Sequence, residues 1–212
     1  MYRHFFKRFF DIVLSFIAIV VLSPVLLILT VIGAIAMKGN PFFTQERPGK
    51  IDPKTGEERI FRMIKFRTMT NERDENGNLL PDAVRLNKYG KFLRSTSLDE
   101  LPELFNIFIG DMSIVGPRPL LVRYIPRYTP EQRKRHTVLP GLTGLAQIKG
   151  RNALTWEERF AYDVEYAENV TLWGDIKIIF GTVGVVFKRR GISSGTSVTM
   201  EEFMGTKEET NV

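Results

Sequence analysis

Two adjacent carboxylates, Asp99 and Glu100, and a scattered set of cations define the chemistry this sequence can support. Lys65, Arg67, Arg94, Arg118 and Arg151 each lie in or beside a short segment rich in glycine, proline or alternating apolar residues. Such segments fix backbone direction, which matters if several cations must converge on one group. Paired acids facing several cations is the composition needed for magnesium-assisted phosphoryl transfer. Mg²⁺ takes one or two carboxylates plus phosphate oxygens, and arginine offers phosphate a planar fork. One carboxylate could also attack phosphorus itself and form an aspartyl phosphate. The acidic pair has a purely structural reading as well. Ser97-x-x-Glu100 fits a capping box, and acids near a helix start favour the macrodipole. The case for chemistry therefore rests on the set.

Missing motifs narrow the field. Neither G-x-x-x-x-G-K-[ST] nor G-x-G-x-x-G occurs, so a P-loop and a dinucleotide fold lack support. No D-x-D suggests a metal-dependent nucleotide-sugar glycosyltransferase, and the isolated Ser and His residues form no credible triad. Cysteine is absent, which removes disulfides, thiolate nucleophiles and thiolate metal sites. With only His4 and His136, a histidine-based zinc centre is disfavoured. The polar run Asn71 to Leu80 lacks the ligand spacing and closing Glu of a calcium loop. Thirty Lys+Arg against 24 Asp+Glu give a net charge of +6, which suits anionic headgroups or phosphorylated substrates. No zinc finger, RNA-binding aromatic motif or basic zipper is present, so nucleic acid is not expected as a partner.

These residues need a scaffold, and its most distinctive part is apolar. From Ile12 to Met37 the chain carries no charge, and only Ser15, Ser23 and Thr30 are polar. That length suffices to cross a bilayer as a helix. Pro24 removes a helix hydrogen bond and clashes with the preceding turn, so a sharp bend or break is expected at Ser23-Pro24. Arg3, Lys7 and Arg8 precede the run, and Lys38, Arg47 and Lys50 follow it. A spanning helix should leave one flank poor in such residues, because they stay cytoplasmic. Residues 1–40 are therefore read as a re-entrant hairpin that dips into one leaflet and leaves the rest on the cytoplasmic face. The main rival is an ordinary single-pass anchor; a signal peptide and a buried core helix fit less well.

Residues 41–190 are read as one domain, α/β but predominantly helical, and 191–212 as a polar tail. Within the domain, Phe42 to Gly49 looks like a loop, Ile60 to Met69 alternates like a strand, and Pro81 to Arg94 is helical in part. Ser97 to Gly110 reads as a helix with Ser97 as N-cap, a stripe of Leu98, Leu101, Leu104, Phe105 and Phe108, and Gly110 as its stop. Pro130 to His136 opens another helix, and Pro140 to Gly144 is a tight turn before the apolar piece Leu145 to Ile148. Thr155 to Glu168 is a helix capped by Thr155, with Glu158 at the third position. Leu172 to Arg190 pairs an apolar face with a basic end. It could lie in the membrane interface or equally close the soluble core.

Several motifs together resemble the small monotopic phosphoglycosyl transferases, the bacterial sugar transferase group. They are the apolar segment with Ser23-Pro24, Phe43-Thr44-Gln45-x-Arg47-Pro48-Gly49, Lys65-Phe66-Arg67-Thr68-Met69 and Arg94-x-x-Ser97-Leu98-Asp99-Glu100-Leu101-Pro102-x-Leu104-Phe105-Asn106. Gly110-Asp111-Met112-Ser113, Val115-Gly116-Pro117-Arg118-Pro119, Pro140-Gly141-x-Thr143-Gly144 and Gly150-Arg151-Asn152 continue the series. The resemblance implies a re-entrant membrane helix at the bacterial inner membrane, facing the cytoplasm. It implies that Asp99 is a nucleophile and that Glu100, with Asp99, holds Mg²⁺. A sugar phosphate would pass from a UDP-sugar to Asp99, releasing UMP, and then to undecaprenyl phosphate in a ping-pong cycle. Lys65, Arg94, Arg118 and Arg151 match family motif positions and are assigned to phosphate or nucleotide contact. The tail from Ser197 to Gly205 most resembles members that use UDP-N,N′-diacetylbacillosamine. Membrane lipids and downstream glycosyltransferases are the further partners implied, with a homodimer left open. The rival functions are a membrane-bound aspartyl-phosphate phosphohydrolase and a non-catalytic membrane scaffold.

Overall fold

The computed structural model describes residues 2–150, 153–187 and 202–206. After a short π-helical turn at Tyr2–Phe6, helix α1 runs from Lys7 to Ala36. It is one element: the break expected at Ser23-Pro24 is not seen. Pro24 has no N–H to offer the carbonyl of Val20, but the Ser23 hydroxyl donates to that oxygen at 2.7 Å. The orphaned acceptor is thereby satisfied locally, and helical geometry continues.

One stripe of α1 is docked along its whole length. Lys7, Asp11, Ser15, Leu29 and Gly33 are buried, and Ala18, Ile19, Leu22 and Leu26 pack between them against two core clusters. Their three-to-four residue spacing is that of a single helix face. Polar contacts pin the stripe as well. Lys7 Nζ lies 2.7 Å from Asp175 Oδ2, and Asp11 accepts from the Ile114 amide at 2.9 Å. Near the far end, the Tyr89 hydroxyl donates to the Leu29 carbonyl at 2.8 Å. The opposite face is apolar and open, with Phe16, Val21, Leu27, Ile28 and Ile35 all more than half exposed.

Strands β1 (Phe42–Ile51) and β2 (Glu58–Phe66) form an antiparallel hairpin that pairs Phe42 with Phe66 and Thr44 with Ile64. The alternation over Ile60 to Met69 thus gave a real strand, whereas the expected loop at Phe42 to Gly49 is its partner. Pro48 is tolerated because it lies at the register shift before Ile51, in a ribbon of two strands that are both edges. The polar segment 71–80 remains an exposed loop, turning at Gly77 with φ +81°. Short helices α2 (Asp82–Arg85) and α3 (Lys88–Thr96) follow.

The predicted helix over Ser97 to Gly110 is split. Ser97 has φ 58°, a left-handed conformation that terminates α3, and its side chain caps nothing. Leu98–Glu100 is a single 3-10 turn, and helix α4 spans only Glu103–Ile109 before Gly110 stops it at φ 102°. Pro102 is the reason, since it lacks the amide a continuous helix would need at that point. The expected stripe is also redistributed. Leu104 and Ile107 are buried, while Phe105, Phe108 and Ile109 are exposed.

Strand β3 (Ser113–Val115) pairs in parallel with β4 (Gly141–Thr143), where a tight turn was expected. Glycine is required at this crossing: a Cβ on Gly141 would fall 2.1 Å from the Gly116 nitrogen. Helix α5 (Pro130–Arg133) continues as a 3-10 turn to Thr137, and α6 covers Leu145–Lys149. Helix α7 (Trp156–Glu168) carries the expected capping box between Thr155 and Glu158. Helix α8 (Leu172–Phe187) closes the core with one face, where Asp175 and Ile178 are buried, and leaves Trp173, Phe180 and Val183 exposed on the other. The polar-tail expectation needs correction at 202–206. Phe203 is 1% exposed among Tyr124, Phe160 and Leu120, and Glu202 bridges Arg123 and Arg127.

Candidate active site

A cleft of about 1340 Å³ opens between β2, the 98–100 turn, the segment carrying Arg118 and parts of α7 and α8. Asp99, Glu100, Lys65, Arg94 and Arg118 all line it, so the sequence-predicted acids and three of the four assigned cations come together. Arg67 lines it too. Arg151 lies outside the described residues. Ser23 and Pro24 are on the exposed face of α1 and do not reach the cleft, although Ala18 and Leu22 do.

Local structure explains why these groups meet. Asn106, buried on α4, accepts from the Ile64 amide at 3.0 Å and donates to the Arg62 carbonyl at 2.9 Å. This clamp ties α4 to β2 and so sets Lys65 against the acidic turn. Lys65 Nζ lies 2.8 Å from Glu100 Oε1 and 3.0 Å from Glu103 Oε1. Arg118 grips Glu100 from the other side, through Nη2 to Oε1 and through Nη1 to Oε2 at 3.4 Å. The Arg118 carbonyl in turn accepts from Arg135 Nη2 at 2.7 Å, and Arg135 is itself locked in a buried pair with Asp163. Arg94 stands apart, donating through Nε to Thr68 Oγ1 at 3.0 Å.

The two neighbouring acids are pushed in opposite directions. Burial raises Asp99 to about 6, helped by the adjacent Glu100 charge and opposed by Lys65 and Arg118. Burial also acts on Glu100, but Arg118 and Lys65 outweigh it and hold that carboxyl below its ordinary range. Arg118 is correspondingly raised by Glu100. Opposed shifts in adjacent acids are a common mark of a division of roles. Glu100 is a fixed anion, whereas Asp99 is a desolvated carboxylate with no side-chain ion pair among the described residues, facing a cleft.

Three groups escaped the sequence reading. Glu103 is 1% exposed beneath the pair, and burial lifts it to about 7 against the pull of Lys65. Its position one helical turn beyond Asp99 was the available signal, obscured because the segment reads as an amphipathic helix with its acids in water. Arg47 and Arg159 also line the cleft. Arg47 had been named as a flanking charge of the apolar run and within the Phe43 to Gly49 motif, but given no role at the site.

Asp99 and Glu100 suit a magnesium ion that takes its remaining ligands from phosphate and water, because both are oxygen donors at the cleft wall. Among the described residues no three acidic, His or Cys side chains form a closed protein cage. Mg²⁺, if bound, would thus depend on the substrate for much of its shell.

Residues 2–189 match the family described as bacterial sugar transferase. The chain is 45% identical over 200 residues to the uncharacterized sugar transferase EpsL of Bacillus subtilis (strain 168), taking in 94% of this chain and 96% of EpsL. It is 41% identical over 188 residues to the UDP-glucose:undecaprenyl-phosphate glucose-1-phosphate transferase of Klebsiella pneumoniae, covering 84% of this chain and 39% of that one. Over 205 residues it is 36% identical to the undecaprenyl-phosphate galactose phosphotransferase of Salmonella typhimurium, with 88% and 41% covered. It spans nearly all of the first relative and about two-fifths of the other two. With the acidic turn, its cationic surround and a match over almost the whole length, the chain belongs to the bacterial sugar transferase family.

Proposed function

We propose that this protein moves a sugar 1-phosphate from a UDP-sugar to a polyprenol phosphate such as undecaprenyl phosphate, through a covalent intermediate on Asp99. The observation that carries the reading is the asymmetry of the acidic pair. Glu100 is neutralised by Lys65 and Arg118, while Asp99 remains available to attack. A nucleophile needs its lone pair free, and partial desolvation makes a carboxylate more reactive.

In the first half-reaction an Asp99 carboxylate oxygen attacks the β-phosphorus of the donor. A new O–P bond forms, the bond from that phosphorus to the bridging oxygen breaks, and the electron pair leaves with UMP. In the second, a phosphate oxygen of the lipid attacks the same phosphorus. The Asp99–phosphorus bond breaks, returning the carboxylate and yielding a lipid diphosphate sugar. Lys65, Arg94 and Arg118 offset the phosphate charge, where most phosphoryl-transfer catalysis originates. Arg151 is retained as a fourth contact on its motif position alone. Magnesium held by Asp99 and Glu100 would add further charge neutralisation to the diphosphate.

The proposed membrane placement is argued from α1. Its docked stripe runs from Lys7 to Gly33, so a spanning orientation would drag polar surface of the domain into hydrocarbon. The opposite face, exposed Phe105 and Phe108 on α4, and Trp173 and Phe180 on α8 supply apolar area on the outside. Together with the basic flanks, this favours an unbroken helix seated with its open face in one leaflet rather than spanning both, with the cleft on the cytoplasmic side of a bacterial inner membrane. Such a seat brings a soluble donor and a buried lipid headgroup to one site. The product would be taken up by later glycosyltransferases. The donor sugar is proposed as UDP-N,N′-diacetylbacillosamine on the tail motif, with glucose and galactose donors as the competing outcomes of a UDP-sugar panel.

Adding polyprenol phosphate to enzyme and UDP-sugar tests the reading. A lipid-linked sugar diphosphate is expected. Free sugar phosphate formed at the same rate with or without lipid would identify a phosphohydrolase instead.

A further inference from the structure

Glu103 opens helix α4 with its side chain buried, the residue being 1% exposed. An acid in the first turn of a helix suits the macrodipole, but that role is met from the surface and needs no burial. Burying a carboxylate is costly unless another charge faces it. Here that charge is Lys65. Its Nζ lies 3.0 Å from Glu103 Oε1, and among the described residues this oxygen has no other partner. The same ammonium is 2.8 Å from Glu100 Oε1, which Arg118 Nη2 also reaches. Two cations thus converge on one oxygen of Glu100, where they repel each other. Glu103 adds a second negative charge at Lys65, so that two acids face two cations. Arg118 and, from β1, Arg47 also attract Glu103 through space, while Glu100 repels it. Three residues on, along the same face of α4, Asn106 clamps the β2 backbone at Arg62 and Ile64. One helix face therefore fixes both the strand and the side chain of Lys65. Lysine is a point charge on a flexible stem, and a single acceptor leaves it several rotamers.

We infer that Glu103 is a positioning residue for the transfer: it holds the Lys65 ammonium at the cleft wall, beside Glu100 and Arg118, where the attacked phosphate of the donor must arrive. The inference rests on the proposed transfer reaction and deepens it. Glu103 acts only through Lys65 and does not meet the substrate. Tied to Glu100 alone, next to the like charge of Arg118, the ammonium would have to be ordered again in every cycle. A cation fixed before the phosphorus is attacked stabilises the developing charge without that cost. The charge of Glu103 does this, rather than its shape. The position should therefore tolerate a shorter acid better than a neutral side chain of the same size.

The test compares Glu103→Gln, which keeps the shape and loses the charge, with Glu103→Asp, which keeps the charge on a shorter stem. Both are studied as full-length protein in detergent at about pH 8, above the value of about 7 to which burial lifts Glu103. One readout is UMP release with polyprenol phosphate and the UDP-sugar that the panel identifies, split into kcat and KM. The other is reductive methylation of Lys65, followed by peptide mass spectrometry. Glu103→Gln should lower kcat by about tenfold or more, the scale of a lost contact to a charged group, with KM changing less than about threefold. It should also speed methylation, because the amine must leave its carboxylates to react. Glu103→Asp should keep most of the kcat and the slow methylation. A packing role predicts the reverse order, since Asp leaves a cavity and Gln does not. That order, equal effects in the two variants, or no effect in either would overturn the inference. Melting curves separate a folding defect from a positioning one. Should Glu103→Gln not fold, the wild-type protein still decides: methylation of Lys65 as fast as that of the exposed Lys177 would overturn the inference. Failure of the underlying reaction looks different: the wild-type protein would release no UMP from any UDP-sugar, while Lys65 stayed protected.

Discussion

Replacing Asp99 by Asn should make the protein inactive and, at neutral pH, more stable. In the folded chain the Asp99 carboxyl is raised from 3.8 to about 6. A raised acid favours folding below its unfolded value, and that advantage is lost as pH climbs through the folded value. At pH 7.5 the wild-type protein therefore carries the whole cost of holding this charge out of water. A shift of about two units corresponds to roughly 3 kcal/mol as a ceiling, and water in the cleft screens it to about 1–2 kcal/mol. Asparagine keeps the size without the charge, so the gain should appear at pH 7.5 and shrink towards zero as pH falls from about 6 to 4. Urea unfolding of both proteins at several pH values in one detergent measures it. If Asp99 served only to cap a helix, Asp99→Asn or Asp99→Ala would instead leave stability unchanged or lower it by about 1 kcal/mol. A destabilised Asn variant, or a gap that does not vary with pH, would refute the reasoning.

Two further outcomes are expected. Phe203→Ala removes a ring buried against Tyr124 and Phe160 and should cost about 3–5 kcal/mol. A loss under about 1 kcal/mol in the same denaturation assay would show that the tail segment is not part of the core. A tag placed before Arg3 should be reachable only from the cytosolic side of sealed membrane vesicles; reaction from the other side would establish a spanning helix.

The elements that were legible are those whose signals are local. Thr155 with Glu158, the alternation through β2 and the stop at Gly110 each depend on a few neighbouring residues; the cap and the stop are where they were expected, while the strand expected over Ile60 to Met69 starts two residues earlier and ends at Phe66. The acidic pair was legible as a composition, but its geometry was not. Ser97-x-x-Glu100 has the letters of a capping box, yet Pro102 resets the helix start and Ser97 turns left-handed. The parallel pairing of β3 with β4 could not be read from either segment, since each is only a few residues long and its partner is remote. Glu103 and Arg47 were missed for a related reason. Burial of a charged side chain is set by what packs over it, here Lys65 against Glu103 and the Pro119 segment against Arg47, and those contacts come from other segments. Ser23-Pro24 was recognised as a break on the rule that proline ends hydrogen bonding. The Ser23 hydroxyl supplies the missing donor, so the helix passes through.

The central claim is that Asp99 takes the sugar phosphate before any lipid does. Mass spectrometry of the purified protein incubated with its UDP-sugar and Mg²⁺ alone tests this most directly. A sugar-phosphate adduct on the Asp99 peptide, with about one UMP released per active site, is the expected result. Release of UMP only when polyprenol phosphate is present, with Asp99 never modified, would contradict it.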